Sequence, residues 1–92
     1  MKWKLVITPR VQLALRTYSP QIKRYIRQAL EYIHQNPEVG KPLKDDLAGF
    51  LSFKVRRFRI VYQIKRKVVT IYVIAIGHRQ SIYDDLSDES SE

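Results

Sequence analysis

Residues 51–76 read LSFKVRRFRIVYQIKRKVVTIYVIAI. Three runs rich in β-branched and aromatic residues, LSFKV (51–55), FRIVYQI (58–64) and VVTIYVIAI (68–76), are parted only by Arg56-Arg57 and by Lys65-Arg66-Lys67. Such short separations permit antiparallel hairpins and nothing else, because a parallel return needs a crossover of roughly a dozen residues. Period-two alternation then sorts the side chains. If Phe53, Val55, Phe58, Ile60 and Tyr62 turn toward a core, then Ser52, Lys54, Arg56, Arg59, Val61 and Gln63 face away from it. The third run is apolar on both sides, as suits a central strand.

The N-terminal half reads differently. WKLVI (3–7) is a short strand, and Thr8-Pro9 supplies a helix cap followed by the proline favoured at the first helical position. Val11, Ala14, Leu15 and Tyr18 then recur at helical spacing. Ser19-Pro20 repeats the device, and Ile22, Ile26, Ala29, Leu30 and Ile33 form one apolar stripe that Asn36-Pro37 stops. Residues 37–49 are loop by their Pro and Gly content, with a turn of helix at KDDLAG. The expected fold is α+β in the order β-α-α-β-β-β: a small, antiparallel-rich sheet with the helical hairpin on one face. One domain spans residues 1–85, followed by an acidic, disordered tail over 86–92.

Charge is distributed unevenly. The chain carries +8 overall, yet all seventeen Lys and Arg precede residue 84, accompanied by only four acids, Glu31, Glu38, Asp45 and Asp46. Residues 1–83 are therefore at +13, while DDLSDESSE (84–92) holds the other five acids. So one-sided a charge suits a polyanion, nucleic acid first. With no cysteine and two histidines, a disulfide framework, a thiol nucleophile and a thiolate or His-only metal site are excluded. The leading apolar run is too short for a secretion signal, and none nears the roughly 20 residues that cross a bilayer, so the expected home is the cytoplasm, with no membrane partner.

No phosphate loop, dinucleotide fingerprint, HExxH or serine elbow is present. The open sheet face and the chain that leaves the last strand offer Lys54, Arg56, Arg59, His78, Arg79 and Tyr83 instead. Such a set suits attack of a ribose 2′-hydroxyl on its neighbouring phosphate, without metal or cofactor. That step needs a base, positive charge for the phosphorane and an acid for the leaving 5′-oxygen. Arginine provides bidentate phosphate contacts. Tyr and Lys, with free pKa values of about 10 and 10.4, become better bases when crowded by cations.

LAGFLSFKVRRFRIVYQIKRKVVTIYVIAIGHRQSIY, and within it FRIVY followed by IGHRQSIY, resembles the C-terminal half of the RelE/ParE toxin superfamily. The resemblance implies the toxin of a type II toxin–antitoxin pair, RelE-like members cutting messenger RNA in the ribosomal A site and ParE-like members poisoning DNA gyrase. Matched position by position, it implies site residues at Lys54, Arg59, Arg79 and Tyr83. A second lysine of the RelE pattern is Ser52 here. Arg59 and Arg79 are then expected to hold the phosphate, Tyr83 or Lys54 to act as base, and Lys54 or His78 to stabilise or protonate the leaving oxygen. Arg56, Arg57, Lys65, Arg66 and Lys67 are candidates for contacts with ribosomal or messenger RNA. The expected partners are a cognate antitoxin, acidic or wrapped around the basic groove, together with ribosome and messenger, the toxin alone being monomeric.

Plainer readings stand beside these. A gyrase inhibitor or a non-catalytic RNA- or partner-binding module would carry many of the same cations. His78 is a common structural donor, His34 is structural, Tyr62 and Tyr72 pack, and Trp3 and Phe50 belong to the core or its rim. The acidic tail is a solubilising extension, or it lies over the basic face and competes with RNA.

Overall fold

A computed structural model describes residues 3–78. The elements are β1 (Lys4–Ile7), α1 (Pro9–Arg16), α2 (Pro20–Gln35), β2 (Lys41–Pro42), β3 (Leu51–Val55), β4 (Phe58–Lys65) and β5 (Thr70–His78), with single 3₁₀ turns at Pro37–Val39, Asp45–Leu47 and Arg66–Val68. Arg79, Tyr83 and the expected tail at 86–92 lie outside the described residues.

Both helices begin where their Ser/Thr-Pro pairs place them. At α2 the Ser19 hydroxyl accepts the Ile22 N–H at 3.3 Å, as an N-cap does. Thr8 behaves otherwise: its hydroxyl donates to the Val73 carbonyl of β5 at 2.9 Å, tying the start of α1 to the sheet. Asn36 ends α2, its side-chain amide donating to the Tyr32 carbonyl at 3.1 Å.

The sheet order is β1-β5-β4-β3-β2. β3, β4 and β5 form the expected antiparallel meander, and β1 adds parallel to β5, Leu5 opposite Ile71 and Ile7 opposite Val73. The apolar third run is thus interior, between β1 and β4. It starts two residues later than its pattern suggests, since Val68 belongs to a 3₁₀ turn and Val69 has φ 47°, left-handed and costly for a β-branched residue. The two-residue strand β2, paired with Leu51 and Ser52, has no sequence signal.

The main core lies between sheet and helices. Val11, Ile26, Ala29, Leu30 and Ile33 meet Ile60, Tyr62, Ile71 and Val73, with Leu51, Phe53, Val55 and Ile76 at the margin. This is the helix stripe and strand parity the sequence implies. Trp3 also packs here, and His34 Nε2 bonds the Trp3 carbonyl oxygen, so both are structural. A second cluster occupies the other face: Val61 and Ala75, covered by Leu43, Leu47, Phe50 and Ile74. The loop over 43–50 therefore covers the middle of the face opposite the helices.

The ladder between β4 and β5 contains one irregularity. Val61 is opposite Ala75 but Tyr62 is opposite Val73, so Ile74 is an extra residue, a β-bulge in β5. Ile74 and Ala75 both pack on the loop-covered face, and from there onward the parity of β5 is reversed.

Candidate active site

The site is a row across three strands at the end of the sheet left open by the 43–50 loop. Lys54 of β3 is paired with Arg59 of β4, and Arg59 with Gly77 of β5. Lys54 and Arg59 sit on the face away from the helices, as alternation requires. Gly77, opposite Arg59, contributes no side chain to the row. A cleft of about 290 Å³ is lined by Lys54, Arg56, Arg57, Phe58 and Arg59, without a carboxylate among them.

Arg59 is half-buried, and its Nε is shielded from solvent with no hydrogen-bond partner. A buried donor left unpaired costs about 1–3 kcal/mol, more when charged, unless a bound group satisfies it. An incoming anion does so through the planar guanidinium.

Between Lys54 and Arg59 lies the two-residue turn Arg56-Arg57. Arg56 has φ 55°, a conformation usually left to glycine at the first corner of a tight hairpin. Its guanidinium stacks over the Tyr25 ring of α2, 3.9 Å from the ring centre. Arg56 thus turns toward the helices and not away from them as strict alternation expects: the left-handed corner breaks the period and anchors the turn to the helix layer. Tyr25 and Phe58 carry no functional signal in the sequence. The register places Phe58 beside the turn, where it lines the cleft.

His78 is not part of this row. Its ring stacks on Phe58, 4.8 Å between centres, and Phe58 stacks in turn on Tyr18 at 5.0 Å, on the helix side of the sheet. The bulge at Ile74 is the reason. Counting straight along β5 from Tyr72 would put His78 on the face of Lys54 and Arg59. The extra residue moves it to the opposite face and brings Gly77 there instead. His78, Arg56, Arg57, Phe58 and Ile22 line a separate cleft of about 480 Å³ on the helix side.

The basic cluster at 65–67 is at the far end of β4, roughly 20 Å from Arg59 at the rise of an extended strand. Lys65 ends the strand, and Arg66 and Lys67 lie in the 3₁₀ turn, all three exposed. Arg66 is committed: its guanidinium donates to the Glu38 carboxylate at 2.6 Å. Lys65 and Lys67 present the remaining charge of that tip.

Ser52 is 4% exposed and sits opposite Val61, under the 43–50 loop. A lysine in so buried a place would have to give up the hydration of its ammonium, a cost serine does not carry. Among the described residues no cluster of three or more His, Cys, Asp or Glu side chains is placed to hold a metal ion, and no helix is long and apolar enough to cross a membrane.

A family model described as the ParE toxin of type II toxin–antitoxin systems matches residues 7–83. The chain belongs to this toxin family. Toxin RelG of Mycobacterium tuberculosis is 38% identical to this ParE-family toxin over 45 residues, 49% of the chain. That match spans about half of the relative, 52% of its length. The RelBE2 toxin–antitoxin complex of M. tuberculosis superposes with a TM-score of 0.79 at 25% identity, over 86% of this chain and all of that one. Free Escherichia coli RelE, in a mutant form, has a TM-score of 0.78 at 18% identity, over 99% and 96% of the two chains, a likeness of fold. The toxin assignment and the α+β architecture with its helical hairpin thus stand as read from the sequence.

Proposed function

We propose that this toxin is a ribosome-dependent messenger endoribonuclease that blocks translation. The carrying observation is the Lys54–Arg59 row, in which a shielded, unpartnered guanidinium nitrogen adjoins a cleft walled by cations. A scissile phosphate seated there satisfies Arg59 Nε, and the surrounding charge stabilises the phosphorane as it forms. Arg79 adds a second guanidinium from the segment after β5. Tyr83 is the base that takes the 2′-hydroxyl proton. With His78 on the other face, Lys54 is the group that stabilises and protonates the leaving 5′-oxygen. The cyclic phosphate and free 5′-hydroxyl that result require neither metal nor cofactor. Lys65 and Lys67, at the opposite tip, suit docking to ribosomal RNA phosphates.

The protein that holds this toxin in check is an antitoxin. Relatives of the same fold are known as complexes of toxin and antitoxin, RelBE2 among them.

A translating system with a single defined messenger, probed by primer extension, tests the reading. Cuts within A-site codons that disappear with Arg59→Ala support it, and intact messenger at blocking toxin concentrations overturns it. The matching family model carries the ParE name, which favours a second reading, inhibition of DNA gyrase. Arrested supercoiling in a purified gyrase assay, with messenger left whole, would establish that reading instead.

A further inference from the structure

The hairpin between β3 and β4 is held from the helix layer at two places. Tyr32 of α2 stacks on Phe53 at 5.7 Å between ring centres, and Tyr25 of α2 lies against the Arg56 guanidinium at 3.9 Å. The two tyrosines are seven residues apart, about 10.5 Å along a helix. Their partners are three residues apart, about 10 Å along an extended chain. The helix thus grips the strand and its turn in register. The Tyr25 ring is half-buried, and its hydroxyl accepts the Gln21 side-chain amide from one turn back at 3.2 Å.

This end of the sheet needs holding. β2 pairs only with Leu51 and Ser52, so among the described residues no strand covers the outer side of residues 53–55. A single pair, Val55 with Phe58, separates the turn from the Lys54–Arg59 pair. Chain ends and turns open first, so loosening at the turn reaches the cation row at once. Arg56 adds strain of its own. Its φ of 55° is a glycine conformation, which other residues keep only where their surroundings over-determine it. Glycine would take the corner without strain but would give Tyr25 nothing to hold.

We propose that Tyr25 is a positioning residue for the cation row: stacked against Arg56, it keeps the hairpin end closed and Lys54 beside Arg59, ready for one RNA phosphate. Tyr25 lines neither the cation cleft nor the helix-side cleft, so it acts through Arg56 and not by touching RNA. The inference rests on the proposed function for its RNA readout alone; the clamp on the hairpin is independent of it.

Two variants of the full chain test this. Tyr25→Phe keeps the ring, and Tyr25→Leu keeps apolar bulk without it. Amide exchange across residues 54–59 should quicken about tenfold in Tyr25→Leu and stay within about twofold in Tyr25→Phe. A short single-stranded RNA with methylated 2′-oxygens, which cannot be cut, should bind Tyr25→Leu about tenfold more weakly and Tyr25→Phe as it binds wild type. In an Arg56→Gly background Tyr25→Leu should weaken RNA binding no further, because the two residues form one link. Unchanged exchange in Tyr25→Leu overturns the proposal, as does an equal loss in Tyr25→Phe or a loss undiminished in the Arg56→Gly background. So does quickened exchange with RNA affinity unchanged, which would make the contact structural alone. Should Tyr25→Leu fail to fold, Arg56→Gln removes the stack from its exposed end, and unchanged exchange at 54–59 in that variant overturns the clamp. A wild-type chain that leaves translated messenger whole would refute the endoribonuclease, while the exchange pattern still decides the clamp.

Discussion

The Tyr62 hydroxyl accepts the Gly40 N–H at 2.8 Å and donates to the Pro37 carbonyl at 2.7 Å, so one phenol in the middle of β4 clasps both ends of the turn that leaves α2. Tyr62 is fully buried, and its ring passes where a side chain on residue 40 would begin: an added Cβ would stand 2.5 Å from the hydroxyl and 2.9 Å from two ring carbons. Gly40→Ala is therefore expected to destabilise the fold by about 2 kcal/mol, the scale of an overpacked core. Tyr62→Phe relieves nothing and leaves a buried N–H unpaired, for a loss of about 1–3 kcal/mol. Urea denaturation of the two variants measures both.

The same phenol makes stability depend on alkaline pH. Burial pushes the Tyr62 hydroxyl above its ordinary value; the Gly40 hydrogen bond opposes this in part and the Glu38 charge adds to it. Burial raises Tyr18 as well. Each folded phenol holds its proton after the unfolded chain, with pKa about 10, has released it. This contribution is complete below pH about 10 and is lost as pH rises from there through the folded value. Urea midpoints should fall across that window, and fall less steeply in Tyr62→Phe.

Arg59 and His78 should separate function from stability. Arg59→Met removes the unpartnered Nε and keeps the aliphatic stem, so the fold should hold its stability or gain up to about 1 kcal/mol. Messenger cleavage should drop by about 10²-fold or more, the usual cost of deleting one donor to a developing oxyanion. His78→Ala should do the reverse, costing about 1 kcal/mol through the lost Phe58 stacking and leaving the cleavage rate within a few-fold. Thermal melts beside primer extension decide between these assignments.

Ser52→Lys would restore the second lysine of the RelE pattern, but in a buried place beside Val61. An ammonium forced under the 43–50 loop should destabilise by about 2 kcal/mol or more and add nothing to cleavage. A faster, equally stable variant would show that the loop yields.

Val69→Asn tests the left-handed corner before β5. Asparagine tolerates φ 47° where valine does not, and a gain of about 1 kcal/mol in urea is expected.

Much of this architecture is legible because its signals are local. Thr8-Pro9 and Ser19-Pro20 mark the helix starts, Asn36-Pro37 the stop, and the Arg56-Arg57 gap admits only a hairpin. Alternation puts Lys54 and Arg59 on one face. What escapes is non-local or aperiodic. Nothing in WKLVI names β5 as its partner, and Lys41-Pro42 is too short to read. The bulge is hidden because residues 68–76 are apolar at nearly every position, so a slip of one leaves the pattern unchanged. Sequence alone therefore groups His78 with the wrong face, and it gives no sign that the 43–50 loop covers Val61 and Ala75. Arg79, Tyr83 and the acidic segment lie beyond the described residues and rest on sequence alone.

The parallel pairing of β1 with β5 bears on when the protein can become itself. Leu5 finds Ile71, and Arg59 finds Gly77, only after the ribosome has made β5, an interior strand and the last in chain order among the described residues. Such long-range pairing is slow to form, because loop closure must precede the contacts that reward it. Until residue 78 has emerged, the helices have half a sheet to pack on and the cation row is two strands wide. In the interval before β5 inserts, the apolar stripe of α2 is only partly covered and Arg59 still lacks its neighbour Gly77.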